Sequence, residues 1–382
     1  MSGTSLDGVD GVLVEFSTRP EGQVRLRTLA SASIDMPSEL QNRLRSLARG
    51  DYSSLPSETA HSSDPIEAAA LAANDLSDLY LEVIQILRAQ SPGSAIQVIG
   101  AHGQTIRHRP ELGFTLQLIN GARIAALSEL PTICDFRSSD VALSGQGAPL
   151  VPLFHQEALA SKVETRVILN LGGIANLSVL DAESVSGFDT GPASTLLDTW
   201  AQKHLGKPFD QDGTWAASGN CDQALLDHFM YEPYFARVAP KSTGRELFSA
   251  EWLEAKLSSF KAHLPLLAAD IQATLSQLSA RSIAEASRRV IASSKEGKIA
   301  FYACGGGVKN KQLMSDICDA LQNKFSPELK LRTSSALGIE AQQMEACAFA
   351  WLAWKRWNQQ PLHYRPVTGS RRPHIAGALY LP

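Results

Sequence analysis

Three glycine-bearing loops, each joined to an apolar run long enough for one strand, constrain the fold of this chain more than any other feature. Gly3-Thr4-Ser5-Leu6-Asp7-Gly8 and the following Val9-Asp10-Gly11 lead into Val12-Leu13-Val14. Asn170-Leu171-Gly172-Gly173-Ile174-Ala175-Asn176 lies between two strand-like runs, Arg166 to Leu171 and Asn176 to Leu180, and so reads as a hairpin. Cys304-Gly305-Gly306-Gly307-Val308-Lys309-Asn310 follows the run Lys298 to Cys304 and precedes a helical stretch. Glycine lets a backbone curl until successive N–H groups converge on an anion, although tight surface turns use the same residues. Two such turns in two hairpins can grip the phosphates of one nucleotide from opposite sides. The glycine triplet can approach a base or ribose and opens a helix whose N-terminus favours anions.

Strand-like and helical runs alternate on either side of these loops, which predicts an α/β sheet covered on both faces. Val12 to Phe16, Ile96 to Ile99 and Phe114 to Ile119 read as strands, the second of them buried. Asp64-Pro65-Ile66-Glu67 has the form of a capped helix start. Further helices are predicted from Gly191-Pro192 through His204, closed by Gly206, and over Leu266 to Ile291 and Ile339 to Trp357. The 382 residues exceed one compact core and suit two domains, 1–140 and 141–364, with a tail from about 365 to 382 that returns to the first. Gly145 to Pro152 reads as the crossing between them, or as a plain loop.

Composition excludes several classes. Hydrophobic residues at 44% and charged residues at 19% are ordinary for a soluble enzyme. A net charge of −4 without a basic tract argues against nucleic acid. Five scattered cysteines, none in a CxxC pair, indicate neither a disulfide framework nor zinc. No signal peptide and no run of about eighteen apolar residues is evident, so a cytoplasmic location is expected. No loop matches GxxxxGK[ST] or GxGxxG, and Lys241-Ser242-Thr243-Gly244 has the P-loop order reversed.

Asp189, ahead of Gly191-Pro192 at an expected strand end, is the candidate base toward water or a hydroxyl; its bland alternative is a helix N-cap. Asp7 can hold a cation or a water near the loop. His102, Gln104, Gln117, Asp135 and Arg137 offer polar groups for a substrate, and Arg137 could take a carboxylate with two parallel hydrogen bonds, or pair with Asp135 or Asp140. Glu345, among Met344, Ala346 and Phe349, needs a partner.

Taken in order, MSGTSLDGVD at 1–10, AHGQTIRH at 101–108, DFRSSDVALSGQGAPLVP at 135–152, NLGGIANLS at 170–178, GFDTGPAS at 187–194, DQDG at 210–213, CGGGVKN at 304–310 and MEACAFAWLA at 344–353 make the chain closely resemble the anhydro-N-acetylmuramic acid kinase family. The resemblance implies the actin-like, hexokinase-like ATPase fold, two domains around a cleft, with ATP and Mg2+. It implies a kinase that opens 1,6-anhydro-N-acetylmuramic acid with water and phosphorylates O6 in cell-wall recycling, with no nucleic-acid or membrane partner and a homodimer allowed for. Gly3, Thr4, Ser5, Leu6, Asp7, Gly8, Val9 and Asp10 match the family's ATP loop. Asn170, Gly172, Gly173, Asn176, Gly305, Gly306 and Gly307 would complete the nucleotide site. Asp7 would steer the magnesium, Asp189 would be the base and Glu345 would support the metal or phosphates. Members usually carry a short apolar strand before the segment that starts here at Met1, so the first loop is expected to be less well braced. An ordinary hexose or aminosugar kinase of the same fold, or a non-enzymatic actin-like switch, are the competing readings.

Overall fold

Alternating side chains after the first glycine loop build a long antiparallel hairpin, β1 (Gly8–Thr18) and β2 (Val24–Asp35). The computed structural model describes residues 1–3, 6–18, 24–50, 64–181, 184–239, 241–244, 246–261, 265–291 and 298–382. Thr4 and Ser5 lie outside them. The chain divides into two units, Met1–Ala158 with Glu345–Pro382, and Leu159–Met344. The division falls at 158/159 and 344/345 rather than at 140 and 364. Gly145 to Pro152 therefore lies within the first unit.

In the first unit the hairpin packs on the helix Pro65–Gln90, which starts at an Asp64 cap accepting from the Ile66 N–H at 2.8 Å. Leu44, Ala72, Leu76 and Ile124 are fully buried in the core of this unit. The short strands β3 (Ile99–Gly100), β4 (Gln104–Arg109), β5 (Phe114–Leu118) and β6 (Thr132–Cys134) follow. β4 and β5 form an antiparallel ribbon, and β3 pairs parallel with β6. The buried strand expected over Ile96 to Ile99 reduces to β3, with Ile96, Val98 and Ile99 only half-buried. They face a cavity of about 540 Å³ bounded by β1, Ser94 to Gly100 and apolar groups such as Val83, Phe349 and Trp354.

The second unit holds a five-stranded sheet in the order β11–β10–β7–β8–β9. Its strands are β7 (Glu164–Leu171), β8 (Ile174–Leu180), β9 (Val185–Pro192), β10 (Lys298–Cys304) and β11 (Leu331–Thr333). The three strands of the 164–192 meander are antiparallel, while β10 runs parallel to both β7 and β11. The helix Ala268–Ile291 is buried along most of its length against β9 and the helices Thr195–Leu205 and Lys311–Lys324. Leu169, Leu177, Leu278 and Phe301 lie at the centre of that core.

Met344–Trp357 forms a helix, but the one expected from Ile339 begins five residues later. Gly338, at φ +85°, closes a 3-10 turn there, and a second turn over Ala341–Gln343 intervenes. The last strand, β12 (Ala378–Tyr380), pairs antiparallel with β6.

Candidate active site

Register in the second unit sets the predicted residues in a row. Cys304 of β10 is opposite Asn170 of β7, Asn170 is opposite Asn176 of β8, and Asn176 is opposite Asp189 of β9. Residues directly opposite in a sheet share a face, with neighbouring strands about 4.8 Å apart. Four positions separated by up to 134 residues thus form one transverse line, ending on a carboxylate.

The two glycine turns of this unit meet at that line. At Gly305, where φ is +86°, a Cβ would come 2.5 Å from Asn170 Oδ1 and 2.8 Å from the Leu171 carbonyl. A Cβ on Gly307 would come 2.8 Å from Leu171 Cβ, whereas Gly306 has open space beside it. The carbonyls of Gly172 and Gly173 accept from Ser194 and Ala193 N–H at 3.1 and 2.9 Å, at the start of the helix Thr195–Leu205. A trans peptide points its N–H opposite to its C=O, so the Gly173 and Ile174 N–H groups face away from that helix. Such N–H groups, with the open flank at Gly306, fit a phosphate chain.

Asp189 does not cap a helix. It lies inside β9, which runs on to Pro192, and Ser194 takes the N-cap position of the next helix. Its backbone is held twice: its N–H donates to the Lys241 carbonyl at 3.1 Å, and the Tyr234 hydroxyl donates to its carbonyl at 2.7 Å. Its Oδ2 accepts the Thr243 N–H at 3.0 Å. Burial raises the carboxyl from its usual value to about 6, with Glu246 adding to the rise and the Thr243 hydrogen bond and Lys241 opposing it. Sequence reading missed Tyr234, Lys241 and Thr243 as neighbours of Asp189. The signal was the Lys241-Ser242-Thr243-Gly244 run, which holds the carboxylate.

In the first unit, Ser2 forms an isolated antiparallel bridge with Val9 of β1. Leu6 adopts φ +58°, and its N–H donates to the Gly3 carbonyl at 3.2 Å. The Leu6 and Val9 side chains belong to the core. Asp10 Oδ1 accepts from Ser33 Oγ at 2.7 Å across the hairpin. At Gly8 a Cβ would collide with the Ile34 carbonyl, so the hairpin demands glycine there. The Tyr80 hydroxyl accepts the N–H groups of both Ser2 and Gly103 at 3.1 Å, and Ser2 Oγ donates to the Gly103 carbonyl at 2.9 Å. These bonds tether the glycine loop to the turn that carries His102.

His102 is buried and held neutral: burial pushes its pKa well below the usual value, and the Arg137 charge adds to the shift. Its Nδ1 lies 2.7 Å from the Gly103 carbonyl and so carries the proton, leaving Nε2 to accept from Arg137 Nη2 at 2.9 Å. Arg137 Nη1 donates to the Gly147 carbonyl at 2.8 Å. The guanidinium forms no ion pair with Asp135 or Asp140, although the Asp140 charge acts to raise its pKa. Asp135 instead accepts Ser138 Oγ at 2.6 Å and its N–H at 3.3 Å. Half-buried Glu345 lies close enough to raise the Arg137 pKa, against a larger lowering by burial.

The two glutamines are not brought together. Gln104 is opposite Leu118 and Gln117 opposite Thr105, which places them on opposite faces of the β4–β5 ribbon. Gln117 Nε2 donates to Thr115 Oγ1 at 2.8 Å, and Thr115 Oγ1 bonds His108 Nδ1 at 3.0 Å. His108 also feels the Arg137 charge, so Gln117 is on the Arg137 side. Among the described residues its buried Oε1, like that of Gln104, has no hydrogen-bond partner, a state that calls for a ligand or water. None of His102, Gln104, Gln117, Asp135 or Arg137 lines the 540 Å³ cavity.

A magnesium ion asks for one or two carboxylates beside phosphate and water oxygens rather than a full protein cage. Asp7 is exposed, and no cluster of three metal-ligating side chains occurs among the described residues. No described helix is long and apolar enough to cross a membrane.

A family model described as anhydro-N-acetylmuramic acid kinase matches residues 1–382. Relatives carrying that name include one from Bordetella petrii, 44% identical over 384 residues, covering 100% of this chain and 94% of the relative. Another, from Paraburkholderia xenovorans, is 44% identical and covers 100% of this chain and 96% of its own length. Among solved structures, a ROK family glucokinase from Streptomyces griseus in complex with glucose and AMPPNP is similar at 10% identity and TM-score 0.36, over 90% of this chain and 100% of that one. A likeness that distant leaves the assignment resting on the full-length sequence match. By that match, which spans residues 1–382, the chain belongs to the anhydro-N-acetylmuramic acid kinase family.

Proposed function

We propose that this chain uses ATP and water to convert 1,6-anhydro-N-acetylmuramic acid into N-acetylmuramic acid 6-phosphate and ADP, in the cytoplasmic recycling of peptidoglycan. Membership of the kinase family supports the reaction class. The observation that carries the assignment of roles is the row Asn170–Asn176–Asp189, with Asp189 poised near pH 6.

Asp189 takes the proton of a water that attacks the anomeric carbon. The bond from that carbon to O6 breaks, and O6 attacks the γ-phosphorus as the bond to ADP breaks. A base with a pKa near the working pH suits this role. Thr243 N–H holds one carboxylate oxygen and leaves the other for the water. The turns at Gly172–Gly173 and Gly305–Gly307, and the loop from Gly3 to Asp10, would receive the nucleotide. Asp7 would hold magnesium, which neutralises phosphate charge when bound. Arg137, kept in place by neutral His102, would take the sugar carboxylate, with Gln117 Oε1 accepting a hydroxyl or amide proton.

The test is a reaction in water enriched in heavy oxygen, with ATP and the anhydrosugar. The O6 that carries the phosphoryl group should stay unlabelled, and heavy oxygen should appear at the anomeric hydroxyl of product quenched before that hydroxyl exchanges with water. Phosphorylation of only the reducing sugar, or product without the label, would reject the reading. Asp189→Asn should still bind ATP yet lose about a hundredfold or more in turnover. The wild-type rate should fall on the acid side with an apparent pKa of about 6.

A further inference from the structure

Asp140 is a fully buried carboxylate that the proposed reaction does not use. Burying a carboxylate is costly unless several donors surround it. Its Oδ2 accepts the Gly147 N–H at 2.7 Å, and its Oδ1 accepts the Thr368 hydroxyl at 2.7 Å. Its own carbonyl accepts the Gly145 N–H at 2.8 Å. The loop is drawn so close that a Cβ on Gly145 would collide with Oδ2. His374 Nε2 stands 3.9 Å from Oδ1, and its ring stacks on Tyr364. A second strap runs beside the first, since Gln146 N–H donates to the Thr368 carbonyl at 2.8 Å and Arg371 N–H to the Leu143 carbonyl at 3.1 Å.

Gly147 is thus held on both sides. Asp140 grips its N–H, and its carbonyl receives Arg137 Nη1 at 2.8 Å. The other edge of the guanidinium, Nε and Nη2, rests on His102 Nε2 at 3.3 and 2.9 Å. A guanidinium has five N–H donors. These three bonds leave one on Nη1 and one on Nη2, the number a carboxylate can take in a bidentate pair. Such a pair is specific only if the fork cannot rotate, and a free glycine loop would let it rotate.

We propose that Asp140, anchored by Thr368 of the C-terminal segment, is a positioning residue for substrate binding: it locks the Gly147 peptide whose carbonyl orients Arg137. The proposal rests on the reading of Arg137 as the group that takes the sugar carboxylate. It assigns the 365–374 segment a task in substrate affinity that is exerted through Arg137.

The experiment measures kcat, sugar KM and ATP KM for the full chain and for Arg137→Ala, Asp140→Ala, Thr368→Val and Thr368→Ser. Asp140→Ala should raise sugar KM about tenfold or more, and Thr368→Val severalfold. Saturated kcat and ATP KM should stay within about twofold. Thr368→Ser keeps the donor and should restore sugar KM, a rescue that mere side-chain volume does not predict. Where Asp140→Ala fails to fold, the valine and serine variants decide. Unchanged sugar KM in folded Asp140→Ala and Thr368→Val, with Arg137→Ala impaired, would overturn the role of Asp140 alone. A parallel loss in kcat and both KM values would also overturn it, as general damage. Unchanged sugar KM in Arg137→Ala would overturn the underlying reading of the arginine, and this proposal with it.

Discussion

Asp189 is a carboxylate in mid-strand, held by backbone groups rather than by a cation, and that environment sets its chemistry. Burial works against the charged form more than the Thr243 N–H and Lys241 favour it. The folded protein therefore holds this proton more tightly than the unfolded chain. The stability that follows is fully present below the ordinary value of 3.8 and is lost as pH rises through about 6. Asp189→Asn keeps an acceptor for Thr243 N–H and has no charge to bury. Its melting temperature should exceed that of the wild type at pH 8, and the difference should shrink toward pH 4. A constant difference across that range would show that the carboxylate is not held as described. The same reasoning distinguishes Arg137, which was legible as a substrate group only in outline. Its hydrogen-bond partners are a neutral imidazole and a peptide carbonyl, neither of which a charge pattern could suggest.

Among elements, the glycine turns separate two requirements that sequence cannot tell apart. Gly305 is demanded by the fold, since its φ of +86° and the nearby Asn170 Oδ1 leave no room for a side chain. Gly306 is not, because nothing lies within 4 Å of its added Cβ. Gly305→Ala should lower the melting temperature, with a cost on the order of 1–3 kcal/mol for the strained backbone and crowding. Gly306→Ala should melt like the wild type yet raise ATP KM, because the methyl would stand where the nucleotide is proposed to lie. Equal melting losses in the two variants would remove this distinction. Gly8 belongs with Gly305: the close approach of the Ile34 carbonyl explains it without any ligand.

For the whole molecule, the two units differ in how the chain builds them. Residues 159–344 form a contiguous unit with its own five-stranded sheet and a core centred on Leu177, Leu278 and Phe301. The other unit needs both ends of the chain, since β12 pairs with β6 and the helix from Met344 lies largely within it. A fragment of residues 159–344 should unfold cooperatively with retained near-ultraviolet dichroism, and should not phosphorylate the sugar. A fragment that binds hydrophobic dye and lacks a cooperative transition would refute its independence.

The strands around the second and third glycine loops, the capped helix at Asp64 and the Gly206 stop were legible because each rests on local chemistry: apolar runs, a side-chain cap, a left-handed glycine. The family match likewise needed only the order of motifs along the chain. The row from Cys304 to Asp189 required strand order and register, which depend on packing between distant segments. The opposite faces of Gln104 and Gln117 also came from register, because one residue of shift reverses every side chain of a strand. The buried Asp140–Thr368 bond spans 228 positions, and a hydrogen bond of that reach leaves no trace in local sequence. Sequence by itself determined which residue types were available for phosphate, proton and carboxylate chemistry. Tertiary structure alone decided which of them share a face, because that choice is made by long-range burial and pairing.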